Sequence, residues 1–180
     1  IVRLHQIDLC QVLDQPSERK YEGEGGPDAG ALFEALNHTR IPAVARQSCL
    51  RWLLFNYLIG NDDAHAKNIS FLVSQHGITL APAYDLLSVR VYGTEHDYLA
   101  MTIGDQVRYG WVEWDNWEQL ARAVRIGPRV VRDTLAELGR DHGDGLARRG
   151  DVPALQDDHH RHRDQDLAKQ GAGDPHTPPL

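Results

Sequence analysis

The stretch from Pro42 to Ile59 is the feature that most constrains the fold, because its apolar residues fall on most sides of a helix. These residues are Val44, Leu50, Trp52, Leu53, Leu54, Phe55, Tyr57 and Leu58. A surface helix keeps one polar face, whereas a helix that is apolar nearly all round is buried in a protein core. The stretch therefore predicts a central helix, and core packing alone would account for its composition.

The loop after this helix, residues 60–68, contains an acid and an amide five positions apart, at Asp63 and Asn68. Residues 69–80 then read as two apolar strands around a turn, which predicts a β-hairpin. That hairpin would deliver a second acid, Asp85, towards the loop. The order of acid, amide, hairpin and acid is more specific than any one of these residues alone.

Side chains in this order suit phosphoryl transfer, which needs an oriented hydroxyl acceptor and divalent cations that neutralise the phosphate oxygens. In protein kinases a catalytic Asp precedes a metal-binding Asn by five positions, and a second metal-binding Asp follows. We therefore predict that Asp63 is the base that orients the acceptor, and that Asn68 and Asp85 are magnesium ligands. Lys67 is predicted to place its ammonium near the transferred phosphate.

Each of these residues also has a structural interpretation, since an acid five positions before an Asn is a common string. Asp62 fits a turn or a helix end, His65 fits a structural hydrogen bond within the loop, and Asp85 could cap the segment that follows it. A metal-dependent hydrolase built on Asp63, His65, His76 and Asp85 is a further alternative. It is the least favoured, because the sequence lacks the helical His pair that fixes such sites.

Further short motifs occur along the chain in a fixed order. They are Arg3-Leu4-His5-Gln6 with Asp8, Lys20-Tyr21-Glu22, Gly25-Gly26-Pro27, Leu58-Ile59-Gly60, Asp63 with His65-Ala66-Lys67-Asn68, and Ala81-Pro82-Ala83-Tyr84-Asp85. With these motifs, residues 1–138 resemble the HipA family of bacterial serine/threonine protein kinases, which act as toxins in toxin–antitoxin modules. One departure is Ile7, where the family commonly carries Glu.

The resemblance implies an α+β, mainly helical fold, namely a protein-kinase-like C-terminal lobe with a small β-hairpin after the catalytic loop. It implies ATP and Mg²⁺ as cofactors, a protein serine as the phosphate acceptor, a HipB-like DNA-binding antitoxin as partner, and a location in the bacterial cytosol. By the same resemblance, Asp63 matches the family's catalytic Asp, while Asn68 and Asp85 match its metal ligands.

A complete kinase also needs a glycine-rich strand pair over the phosphates and a Lys on the following strand. The glycine-rich stretch at residues 23–30 is not flanked by strand patterns, and we interpret it as a loop that enters a helix at Pro27. The chain therefore resembles a C-terminal lobe without its N-terminal lobe, and by itself it is expected to be nearly inactive. A non-catalytic module that binds an antitoxin is the alternative function.

Composition narrows the function classes further. The formal charge of −7 argues against direct nucleic acid binding, which requires clustered Lys and Arg. No apolar run approaches the roughly 20 residues of a membrane span. Cys10 and Cys49 lie far apart in apolar patterns, so both are predicted to be core residues rather than parts of a zinc site or a disulfide.

The remaining pattern predicts helices over residues 6–13 and 27–36, a strand over residues 98–103, and helices over residues 115–124 and 127–138. The three nearby tryptophans, at positions 111, 114 and 117, are predicted to form a packed aromatic cluster rather than to stack on a nucleotide. From Gly139 onward the chain has too few large apolar side chains to build a core. We therefore predict one domain at residues 1–138 and a disordered tail at residues 139–180.

Overall fold

The structure, a computed structural model, describes residues 3–88 and 97–146, with side chains up to residue 140. Five short strands and five α-helices make up most of this part. The strands are β1 (His5–Asp8), β2 (Ser70–Ser74), β3 (Gly77–Leu80), β4 (Tyr98–Ile103) and β5 (Gln106–Arg108). The α-helices are α1 (Leu9–Val12), α2 (Ala29–Ala35), α3 (Pro42–Ile59), α4 (Trp114–Ala123) and α5 (Pro128–Leu146).

The predicted central helix is confirmed as α3, with the bounds that the apolar pattern indicated. Leu50 and Leu54 on this helix are almost completely buried. The helix ends because Gly60 adopts a left-handed conformation with a φ of 68°, which glycine tolerates without a steric penalty. The chain leaves the helix at this glycine and enters the loop that carries Asp63.

Residues 6–13 were predicted to form a helix, and the structure corrects this: His5–Asp8 is a strand and only Leu9–Val12 is helical. The strand exists because its backbone pairs antiparallel with β2, in a register that sets Ile7 opposite Phe71. The helix then begins at Leu9, and the residue before it, Asp8, is its cap: Asp8 Oδ1 accepts a hydrogen bond of 2.9 Å from the Gln11 amide. This side-chain cap satisfies a backbone donor that the first turn of a helix leaves unpaired.

The predicted hairpin over residues 69–80 is confirmed as β2 and β3. These strands pair antiparallel from Phe71 opposite Leu80 to Ser74 opposite Gly77, and with β1 they form one three-stranded sheet. The hairpin returns the chain towards the end of α3. It thereby brings residues 81–85 beside the loop that contains Asn68.

The other predicted helices are present, but their ends differ from the predicted ones by a few residues. The helix predicted over residues 27–36 is α2, which begins two residues after Pro27 because Asp28 is its cap, and it closes in a 3₁₀ turn over Leu36–His38. The helix predicted over residues 115–124 is α4, which begins one residue earlier because Glu113 is its cap. Helix α5 continues to Leu146, past the predicted end of the domain at residue 138. The first part of the tail predicted to be disordered, residues 139–146, is therefore helical, and the rest of that tail, residues 147–180, lies outside the described residues.

The strand predicted over residues 98–103 is confirmed as β4, which forms a separate two-stranded sheet with β5. The tryptophans do not form one buried cluster, however. Trp117 is completely buried and stands edge-on to Tyr57 of α3, with ring centroids 5.1 Å apart. Trp111 is 62% exposed and packs against the Arg108 guanidinium.

The main core lies around α3, where α1, α2, the hairpin, α4 and α5 all contribute buried apolar side chains. Cys10 and Cys49 are both buried, as predicted, and burial raises the pKa of the Cys49 thiol to about 12. None of the helices in the described part of the chain has the length and apolar character of a membrane span.

Candidate active site

Asn61 organises the loop after α3. Its side chain is buried, and its Nδ2 donates to Asn56 Oδ1 at 2.7 Å and to the Asp85 carbonyl at 3.1 Å. Its Oδ1 accepts a bond of 3.2 Å from the Asp63 amide. One buried amide therefore joins the central helix, the loop and the segment after the hairpin. Sequence analysis did not single it out, although a polar residue just after a buried helix was an available signal.

Asn68 and Asp85 are in direct contact. Asn68 Nδ2 donates to Asp85 Oδ2 at 2.9 Å and to the Asp63 carbonyl at 3.2 Å. The Asn68 residue is 5% exposed, so its amide is held rigidly beside the carboxylate. The structure thus brings the side chains of Asn68 and Asp85 together and places Asn68 against the backbone of Asp63.

The backbone at Asp85 is unusual. Its φ is 57°, in the left-handed region that non-glycine residues rarely occupy and that Asp and Asn tolerate best. Residues 86–88 are not helical, so Asp85 does not cap a helix there. The left-handed turn, together with the bond from Asn61, aims the carboxylate at Asn68.

Among the described residues, the contacts of the Asp63 carboxylate are made through one oxygen. Tyr21 donates its phenol hydroxyl to Asp63 Oδ1 at 2.5 Å, and His65 Nε2 lies 3.8 Å from the same oxygen. Burial and the hydrogen bond to Asp63 raise the pKa of Tyr21 to about 12, so the phenol remains a donor. The Asp63 side chain is still 49% exposed, which leaves it accessible to a substrate.

His65 is a buried partner of Lys20. The Lys20 ammonium lies 2.9 Å from His65 Nε2, and because an ammonium can only donate, Nε2 must accept. Burial is the main cause that lowers the pKa of His65, and the nearby Lys20 charge lowers it further while Asp63 and Asp85 oppose. His65 is therefore neutral near pH 7 and makes the structural hydrogen bond that its position in the loop predicted.

This burial predicts a pH-dependent stability. The unfolded chain binds a proton at His65 near its ordinary pKa of 6.5, whereas the folded chain resists protonation. The contribution of His65 to the free energy of unfolding is therefore complete above pH 6.5 and declines as the pH falls below it. Urea titrations between about pH 7.5 and 5 should show this slope, and His65→Gln should reduce it. His76→Gln, at the exposed hairpin turn, should leave the slope unchanged; an equal reduction would contradict the assignment.

The Lys67 ammonium points towards β1. It forms an ion pair of 2.7 Å with Asp8 Oδ2, and this hydrogen bond raises the pKa of Lys67. The Lys67 carbonyl accepts from the Tyr84 hydroxyl at 2.5 Å, which fixes its backbone. Lys67 would have to leave Asp8 to contact a phosphate.

The donor set fits magnesium better than zinc. Asn68 and Asp85 offer amide and carboxylate oxygens, the hard ligands that Mg²⁺ uses together with water and phosphate oxygens. Among the described residues, no group of three or more His, Cys, Asp and Glu side chains is placed to hold a metal ion. His76 lies in the hairpin turn, where it contacts Gln75, so the structure offers no support for the hydrolase alternative.

A cavity of about 430 Å³ lies between the first half of α3 and the hairpin. Its wall is mainly apolar and includes Ile41, Val44, Trp52 and Leu80. Asn68 touches it, but Asp63 and Asp85 do not. The cavity is therefore separate from the two acids of the candidate site.

Comparison with known proteins identifies the family. A family model described as HipA-like C-terminal domain matches residues 2–144. The chain belongs to the HipA-like C-terminal domain family. The Shewanella oneidensis serine/threonine-protein kinase toxin HipA is 39% identical over 117 residues, which cover 59% of this chain and 27% of that protein. Sinorhizobium fredii Y4mE is 37% identical over 147 residues, which cover 81% of this chain and 35% of that protein.

The fold agrees with this assignment. The structure matches HipA of Shewanella oneidensis MR-1, solved in a complex of HipA, HipB and operator DNA, with a TM-score of 0.77 and 30% identity. The match covers 87% of this chain and 40% of that one. It confirms the predicted α+β, mainly helical C-terminal kinase-like lobe. The HipA-like chain spans about a third of the length of the curated relatives it matches.

Proposed function

We propose that this chain is the catalytic C-terminal lobe of a HipA-type serine/threonine kinase, which transfers the γ-phosphate of ATP to a protein serine. The observation that carries the proposal is the contact between Asn68 and Asp85 beside the Asp63 backbone. The contact joins an amide that precedes the hairpin to an acid that follows it. Asp63 and Asn68 also have the five-residue spacing of kinase catalytic loops.

Each residue has one task in this proposal. Asn68 and Asp85 would hold the magnesium ion of the nucleotide through their oxygens, because the two side chains are in direct contact. Asp63 orients the serine hydroxyl and accepts its proton, since its carboxylate is half-exposed and is anchored through only one oxygen in the described contacts. Bound magnesium–ATP supplies the transferable phosphoryl group and the charge that stabilises its transfer.

Lys67 is proposed as an auxiliary charge. Its ammonium is paired with Asp8 and its side chain is 36% exposed, so it can exchange this partner for a phosphate oxygen. The Asp8 side chain is only 14% exposed, so the bound phosphate must compensate for leaving a mostly buried carboxylate without its partner.

The full reaction needs groups beyond this lobe. The chain covers 40% of its structural neighbour. Its sequence lacks the glycine-rich strand pair and the following strand Lys that kinases place over the phosphates. We therefore propose that the lobe alone is nearly inactive and that a HipB-like antitoxin is its partner. The support for this partner is the neighbour's complex with HipB and operator DNA.

Replacing Asp85 with Asn tests the proposed metal site. Asn tolerates the left-handed backbone and keeps the side-chain shape, but it removes the negative charge. We expect the affinity for magnesium–ATP to fall at least about 10-fold. The measurement is calorimetry on a fused protein, in which the chain is joined to the N-terminal part of Shewanella oneidensis HipA.

The matched control is Asp14→Asn. Asp14 is also an Asp in the left-handed region, with a φ of 52°, and it is exposed after α1. Its replacement makes the same chemical change elsewhere and should leave nucleotide affinity within about 2-fold. Equal affinity of wild type and Asp85→Asn for magnesium–ATP would remove the proposed metal site.

A further inference from the structure

The segment Lys20-Tyr21-Glu22, here called the clamp segment, crosses the loop that carries Asp63. Its first two side chains bond within that loop, Lys20 to His65 at 2.9 Å and Tyr21 to Asp63 at 2.5 Å. The backbone joins as well, since the Lys20 carbonyl accepts from the Ala66 amide at 3.1 Å. Three separate bonds therefore connect the clamp segment to the candidate catalytic loop.

The third residue anchors the clamp segment on the opposite side. Glu22 Oε2 accepts from the Thr102 amide at 2.6 Å, and Glu22 Oε1 accepts from the Thr102 hydroxyl at 2.8 Å. Hydrogen bonds to a charged carboxylate are stronger than those between neutral groups. Because Thr102 lies within strand β4, the clamp segment is fixed to a sheet that is separate from the loop it touches.

The backbone of the clamp segment is held by a tight turn that only glycine permits. Gly26 donates its amide to the Tyr21 carbonyl at 2.9 Å. A Cβ at Gly26 would lie 2.3 Å from the Arg19 carbonyl oxygen and 2.6 Å from that of Tyr21. These contacts are with backbone atoms that cannot rotate away, so a larger residue would displace Tyr21.

We propose that the clamp segment is the positioning element of the Asp63 carboxylate: Tyr21 holds Oδ1 and leaves Oδ2 to the acceptor hydroxyl. The catalytic part of this inference rests on the proposed function. Tyr21 is a positioning residue, since the atom it touches belongs to Asp63 and not to a substrate. A carboxylate fixed at one oxygen presents the other in one direction, and small losses of such alignment reduce rates steeply.

The first test concerns the position of Asp63 in the 180-residue chain itself and does not depend on activity. Three-bond NMR couplings to the Asp63 Cγ should report a single χ1 rotamer in the wild type and rotamer averaging in Tyr21→Phe. Tyr98→Phe is the matched control, because it removes the same hydroxyl from an exposed ring on β4. A single Asp63 rotamer retained in Tyr21→Phe would overturn the proposal.

A second pair of variants tests the same idea through the backbone. Gly26→Ala should also release Asp63 into several rotamers, because it displaces the turn that carries Tyr21. Gly23→Ala is its control: a Cβ at Gly23 meets no atom within 4 Å, and so it should retain the wild-type couplings. Identical couplings in both variants would contradict the role of the clamp segment even if Gly26→Ala lowered stability.

Kinetics of the fused protein then separate positioning from binding. Tyr21→Phe should lower kcat for phosphoryl transfer about 10- to 100-fold, with the KM for magnesium–ATP changed less than about 2-fold. An active wild type, lost in Asp63→Asn but unaffected in Tyr21→Phe, would overturn the inference and keep the proposed function. A wild type without transfer would overturn the proposed function, while the rotamer measurement would still decide whether Tyr21 positions Asp63.

Discussion

Replacing Asp63 with Asn should lower phosphoryl transfer by the fused protein about 10²- to 10⁴-fold, the range that a positioned general base contributes. The amide can still accept the Tyr21 hydrogen bond that Asp63 Oδ1 now receives, so the loop should keep its shape. It cannot accept a proton from a serine hydroxyl. The measurement is the incorporation of label from γ-labelled ATP into protein serine, with nucleotide affinity measured in parallel.

The neighbouring acid provides the control for this variant. Asp62→Asn makes the same change one position earlier in the same loop, and we expect transfer within about 3-fold of the wild type. If Asp63→Asn retained wild-type transfer, or if Asp62→Asn were the variant that lost it, the assignment of Asp63 would be wrong.

Replacing Trp117 with Ala should reduce the free energy of unfolding by about 3–5 kcal/mol, the range for removing a large buried aromatic side chain. Trp117 is completely buried and stands edge-on to Tyr57, three residues before Gly60 ends α3. The variant would leave a cavity where α4 packs on the central helix, so the loop that follows α3 should also lose rigidity. Urea unfolding of the 180-residue chain measures the change.

Trp111→Ala is the matched control, because it removes the same side chain from a position that is 62% exposed. Its contact with the Arg108 guanidinium is at the surface, and we expect a change of less than about 1 kcal/mol. Similar losses in the two variants would show that Trp117 does not support the core as described.

The sequence correctly predicted those helices and strands whose formation depends on neighbouring residues. The apolar composition of α3 and the strand–turn–strand pattern of the hairpin were sufficient to give both elements, including the bounds of α3. The strand at His5–Asp8 was missed because its partner, β2, lies more than 60 residues away, and pairing rather than propensity decides its conformation. The exposed position of Trp111 was missed for a similar reason, since composition does not indicate which side of a helix or turn faces the core.

In the candidate site, too, residues close in sequence were predicted, whereas contacts between residues far apart in sequence were not. The spacing of Asp63, Asn68 and Asp85 was readable because a short loop and a hairpin connect them. Tyr21 lies 42 positions from Asp63, and no local pattern predicts that its hydroxyl meets that carboxylate. The sequence likewise placed Lys67 in the loop beside Asn68. The direction of its ammonium depends on Asp8, which is 59 positions away.

The left-handed backbone at Asp85 limits which residues can replace this acid without distorting the lobe. Most substitutions there would strain the main chain as well as remove a carboxylate, whereas Asn and Gly would fit the turn without acidity. A related protein that has lost the proposed metal site but keeps an intact lobe is therefore expected to carry Asn or Gly at this position. The residue at this one position would then distinguish relatives with the proposed kinase activity from relatives without it.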